Sequence, residues 1–216
     1  MSRTRLLLAA LALTLAAGTA FPAAPATRGQ ALAALEDPAT ERRVEAVLWV
    51  AEHGRMPDTE LLVKRLRDDS PQVRDLAERA LWRLWSRSGE RETDELMARG
   101  VAQMQAERYT EAAATFGEAI RRRPGFAEAW NKRATVLYLA GEYRKSIADC
   151  KQVLKRNAQH FGALSGLGQI YFALEDYEQA LAWWRRALAV NPNMPGVALN
   201  LRRTEELLRE KRAHTI

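Results

Sequence analysis

Residues 161–194 read FGALSGLGQIYFALEDYEQALAWWRRALAVNPNM. Seven kinds of position in this stretch find counterparts upstream at one spacing, 34 residues. Tyr177 follows Tyr143 and Tyr109, Gly168 follows Ala134 and Gly100, and Ala180 follows Ser146 and Ala112. Ala187 follows Val153 and Ala119, Leu164 follows Trp130 and Leu96, and Trp184 follows Cys150 and Phe116. Pro192 and Pro124 stand two periods apart, with Ala158 between them. A fixed period of this length marks a stacked repeat, in which each unit covers the open face of the last.

Each unit reads as two helices of about 14 residues. A short turn joins them, for example around Ala140-Gly141-Glu142. Ala, Leu, Glu and Arg abound while Gly, Pro and β-branched residues are sparse, which favours helix by intrinsic propensity. Small residues at 100, 134 and 168, and again at 112, 146 and 180, let paired helices approach closely. Trp130, Phe116, Trp184 and the three Tyr fill the space between units. Pro124 and Pro192 end second helices, because Pro disfavours helical geometry in the residue before it.

These positions resemble the tetratricopeptide repeat, with units at 93–126, 127–160 and 161–194. The family's pattern of a bulky residue, Gly or Ala, an aromatic, Ala, an aromatic, Ala and Pro is nearly complete in the third unit. There it reads Leu164, Gly168, Tyr171, Ala180, Trp184, Ala187 and Pro192. Unit one departs at Gln103, and unit two at Cys150 and Ala158. The resemblance implies an all-α, right-handed superhelical α-solenoid. From Pro195 an apolar series (Val197, Leu199, Leu201, Leu207, Leu208) alternates with Arg and Glu, as a terminal capping helix and tail over 195–216 requires.

Upstream, residues 30–89 carry a weaker repeat. Leu32 and Leu35 precede Asp37-Pro38, then Arg43 and Ala46; 31 residues on, Val63 and Leu66 precede Asp68-Asp69-Ser70-Pro71, then Arg74 and Ala77. Asp or Ser before Pro signals a helix start with a side-chain cap. The second copy, LLVKRLRDDSPQVRDLAERALWRLW, resembles a HEAT-type hairpin, and that resemblance implies a ladder made by Asp69 and Arg74. Residues 86–90 read as a break before the repeats.

The first 20 residues have the layout of a secretory signal peptide. Arg3 and Arg5 form a basic start, Leu6 to Ala17 is apolar, and Gly18-Thr19-Ala20 offers a cleavage site before Phe21. The 12-residue apolar run is short of the roughly 20 that a membrane span needs. Export to the periplasm or outside a bacterial cell is expected, followed by a flexible leader over 21–29. The single cysteine, Cys150, excludes an intramolecular disulfide. The net charge is +6, or +4 without Arg3 and Arg5, which is too modest to dictate a nucleic-acid or membrane partner.

No catalytic constellation stands out. His53, His160 and His214 have no metal-ligand spacing, and Cys150 takes a position filled by Phe116 and Trp184 in the other units. Gly162, Gly166 and Gly168 follow no strand, so they form no phosphate loop. Neither a cofactor nor a metal is expected, and the chain reads as non-catalytic. Family geometry places a partner-binding groove on the first helices, at Met97, Val101, Met104, Asn131, Thr135, Tyr138, Ser165, Gln169 and Phe172. The family's best-known clamp holds a C-terminal carboxylate with Lys, Arg and Asn; here only Asn131 and Lys132 resemble it. The expected function is an exported scaffold or assembly factor that holds a protein or peptide partner, not nucleic acid. The alternative is a membrane-surface or cell-wall module that uses the basic C-terminal helix.

Overall fold

The computed structural model describes residues 25–213, and no strand occurs among them. The described helices are α1 (Arg28–Ala34), α2 (Thr40–His53), α3 (Thr59–Arg65), α4 (Pro71–Trp85), α5 (Arg91–Gln105), α6 (Tyr109–Arg122), α7 (Ala127–Leu139), α8 (Tyr143–Arg156), α9 (Phe161–Ala173), α10 (Tyr177–Val190) and α11 (Pro195–Ala213). A single 3-10 turn, Met56–Asp58, leads into α3. None of these helices is long and apolar enough to cross a membrane. The signal-peptide stretch lies outside the described residues. Helix α1 starts inside the expected leader, because Thr27 and Gln30 close a reciprocal cap around its first turn.

The repeat pairs are α5/α6, α7/α8 and α9/α10. The small positions do what their spacing predicts. A methyl carbon added at Gly168 would stand 2.3 Å from the Trp184 ring, and one at Gly100 would stand 2.6 Å from Phe116. Ser146, fully buried, donates its hydroxyl to the Ala134 carbonyl at 2.7 Å. The turns inside the pairs are equivalent too. Glu107, Gly141 and Glu175 all have positive φ (58°, 76° and 60°), one period apart. After each, the next amide reaches back five residues to close the helix end (Arg108 to Gln103, Glu142 to Leu137, Asp176 to Tyr171). Trp130 departs from its expected core role. It is half-buried, donates to the Pro124 carbonyl at 3.0 Å, and carries Arg133 and Arg156 over its ring.

The N-terminal helices form two stacked hairpins, α1/α2 and α3/α4, around Leu35, Val47, Leu62, Leu66, Val73 and Leu81. The Asp–Arg ladder exists but not between the residues expected. Arg43 reaches forward to the next hairpin and grips the Asp68 carboxylate with Nε and Nη2, both at 2.8 Å. Its remaining nitrogen holds the Asp37 and Pro38 carbonyls, and Arg74 holds the Asp68 and Asp69 carbonyls in the same way. Asp69 is exposed and contributes only its backbone carbonyl, not its carboxylate. Neither turn uses the side chain before Pro as a helix cap. Asp37 and Asp68 instead accept the amide two residues on, which shapes the turn.

Both members of the Arg43–Asp68 pair are buried. Burial alone pushes the Asp68 carboxyl up, but the Arg43 fork, the Ser70 amide and the charges of Arg43 and Arg65 bring it below the usual range. A depressed carboxyl stabilises the fold above the unfolded pKa of about 4, and that contribution fades as pH falls through the folded value. Asp68→Asn should therefore cost about 3 kcal/mol or more at pH 7, since it leaves a buried guanidinium without its counter-charge. Urea melts at pH 7 and at pH 3 should show the loss shrinking at the lower pH. An equal loss at both values would contradict this account.

Candidate functional site

Helices α5, α7 and α9 present the inner face of the array, and α11 closes its far end. Of the expected groove residues, Met97 is corrected by the structure. Met97 is packed into the core with Leu96, Phe116 and Ile120. Asn131 is buried, and its amide donates to Glu128 Oε2 at 3.0 Å. Val101 and Met104 are half-buried against that same core. Ser165 is half-buried as well.

Thr135, Tyr138, Gln169 and Phe172 do come together. Thr135, Tyr138 and Gln169 line a pocket of about 110 Å³ between α7 and α9, floored by Ala134, Gly166 and Ile170. Gln169 and Phe172 continue into a second pocket of about 260 Å³ between α9 and α11. There they meet Asn200, Arg203, Thr204 and Leu207, which sequence reasoning assigned only to a cap. Their spacing of three, four and seven residues was the available signal, because it puts them on one helical face. Phe172 is 36% exposed, with its ring against Tyr177 and Trp184, so it offers a fixed apolar surface.

The start of the groove is sealed by the N-terminal hairpins. Trp82 of α4 lies on Gly162, where an added methyl carbon would be 2.5 Å from the indole. Trp85 stacks on His160 with ring centres 4.6 Å apart, and Phe161 enters the hairpin core. Polar contacts extend the joint. Asn193 donates to the Leu66 carbonyl at 2.6 Å, Asn191 to Glu78 at 3.1 Å, and Arg67 to the carbonyls of Ala189 and Val190.

Beneath those indoles sits a buried polar cluster. His160 Nδ1 accepts the Ala163 amide at 3.1 Å, which fixes the ring proton on Nε2. That proton is donated to Glu128 Oε2 at 3.1 Å. Lys132 Nζ stands 3.3 Å from the other Glu128 oxygen. The carboxylate is thus compensated from three sides and screened from any ligand. Lys132 is committed to it, while Asn131 gives its amide nitrogen to Glu128 and still lines the α7–α9 pocket.

Cys150 is 3% exposed at the bottom of the α7–α9 pocket. Burial, with the nearby Asp149 charge, pushes its thiol up to about 12. It remains protonated at neutral pH and is a packing residue rather than a nucleophile.

Comparison with known proteins agrees with this geometry. Residues 97–152 and 162–194 match family models of the tetratricopeptide repeat. A TPR repeat-containing protein of Rhizobium etli is 36% identical over 108 residues, half of this chain and 53% of that protein. The Hsp70-Hsp90 organizing protein of Triticum aestivum is 25% identical over 157 residues, which span 73% of this chain and 25% of that protein. The chain therefore spans about half the length of the first relative and a quarter of the second. Among solved structures, the Sgt2 TPR domain of Aspergillus fumigatus superimposes with a TM-score of 0.55 at 21% identity, covering 57% of this chain and 83% of that domain. The first TPR of Spaghetti (RPAP3), bound to the HSP90 peptide SRMEEVD, gives 0.52 at 22%, covering 54% and 93%. These likenesses concern the fold; this chain carries tetratricopeptide repeats in an all-helical array.

Proposed function

We propose that these repeats hold an extended segment of a partner protein in the groove formed by α7, α9 and α11, without catalysis, in an exported protein. The observation that carries this reading is the continuous lining Thr135, Tyr138, Gln169, Phe172, Asn200 and Arg203 across two adjoining pockets. Two aromatic rings supply contact area at small entropic cost, and aromatic and Arg side chains dominate binding energy at interfaces. Gln169 and Asn200 offer amides to a peptide backbone, and Arg203 offers a cation to an acidic side chain or terminus. The RPAP3 structure above holds a peptide on a related array, which supports the mode of binding. With Lys132 drawn to Glu128, the partner's acidic group would meet Arg203 instead.

The N-terminal hairpins, read as HEAT-like, brace one side of the groove and limit its length. This reading is preferred over a membrane-surface or cell-wall module because the Asn200, Arg203 and Leu207 face of α11 lines the groove.

Tyr138→Ala, Gln169→Ala and Phe172→Ala combined should cut partner capture from an envelope extract at least tenfold, roughly 1.4 kcal/mol. Leu48→Ala, on exposed surface of α2, should leave it unchanged. Undiminished capture by the triple variant would sink the groove reading. For export, N-terminal sequencing of the expressed protein should find Phe21 first; an intact Met1 or Ser2 would refute cleavage.

A further inference from the structure

A separate cleft opens between the hairpins and the repeats and shares no lining residue with the groove pockets. It measures about 390 Å³, within the range of roughly 300–1,000 Å³ usual for small-ligand sites. Its apolar wall is Met56, Leu84, Trp85 and Phe126, and four arginines line it: Arg55, Arg87, Arg123 and Arg156.

Each arginine follows or ends a helix (α2, α4, α6 and α8), where a cation ordinarily offsets the negative helix end. That ordinary role does not account for all of the charge. Four helix ends carry about half a negative charge each, roughly −2 in all, against four guanidinium cations. No Asp or Glu lines the cleft. The nearest carboxylates stand outside the lining and have closer partners: Asp58 pairs with Arg28, Asp94 accepts the Ser88 hydroxyl, and Glu90 and Glu92 pair with Arg122. Asp58 and Glu90 also attract Arg55 and Arg123 at longer range. Arg87 bonds the Ala51 and Gly54 carbonyls, and Arg156 bonds those of Pro124 and Gln152. Those bonds fix the positions of both guanidinium groups without neutralising them. Arg55 and Arg123 have no ion pair within 4 Å among the described residues. Helix α7 also begins here, at Ala127, with no side-chain cap, and it adds the positive end of its dipole.

We propose that this cleft binds a small oxyanion of two or more negative charges, a phosphate ester or a polycarboxylate, against an apolar wall. The arginine forks match either group, since both present paired oxygens at the same spacing. The site is independent of the peptide groove and stands or falls without it.

Calorimetric titration of the full chain with pyrophosphate and with citrate, at ionic strength matched by sodium chloride, tests the proposal. Saturable binding of at least one probe is expected. Arg55→Gln with Arg123→Gln should weaken it tenfold or more, because these two cations line the cleft without a close ion pair. Arg99→Gln with Arg121→Gln removes the same charge elsewhere and should leave it within twofold. Binding of pyrophosphate alone assigns the site to phosphate esters, and of citrate alone to polycarboxylates. No saturable binding of either probe would overturn the proposal. So would unchanged binding in the first double variant, or equal losses in both.

Discussion

Two indoles determine what this molecule can do. Trp82 rests on Gly162 in a space that no larger residue leaves open, and Trp85 stacks on His160. Trp82 also meets His160 and Phe161 edge-on, with ring centres 5.4 and 5.2 Å apart. Aromatic pairs of this kind contribute about 0.5–1.5 kcal/mol each beyond the area they bury. Several acting together suffice to hold the hairpins in one place, whereas polar domain interfaces generally leave such parts free to move. Phe161, the first residue of α9, belongs to the hairpin core rather than to its own repeat. The two halves therefore share one apolar interior.

That joint has consequences on both of its sides. On the groove side it covers the first turn of α7 and α9, and Glu128 and His160 are buried and paired there. The second Glu128 oxygen faces Lys132 but makes no hydrogen bond. The open pockets are then confined to the later turns, where α11 replaces the missing wall. On the other side the same joint leaves a cleft into which four helix ends deliver their arginines. The position of the hairpins along the edge of the array, not at its end, produces both features.

The period of 34 was legible because packing imposes it on residue size: the rings at 116 and 184 require glycine at 100 and 168. The hairpin repeat of 31 was legible in Asp37/Asp68 and Arg43/Arg74, yet its ladder was not. Asp68 and Asp69 are adjacent and chemically identical, and only the backbone of the turn decides which one faces inward. Met97 turns onto Phe116 and Ile120 of its own unit and Asn131 bonds Glu128 one turn earlier, contacts that the groove register alone does not distinguish. His160 instead depends on neighbours distant in sequence. Its position in a turn between units gave no hint that Trp82 and Trp85, 78 and 75 positions earlier, would cover it. The pocket-lining face of α11 was visible as amphipathicity but admitted two purposes, capping and lining, and the structure shows both.

Native-state hydrogen exchange, read helix by helix, tests the shared interior most directly. In the unmodified chain the slowest amides of α2 and α4 should open with the same free energy as those of α7 and α9. Gly162→Val, which displaces the Trp82 ring, should drop α2 and α4 below the repeats while the repeats keep most of their protection. Hairpins that exchange independently before any substitution, or coupling that survives the valine, would contradict the account.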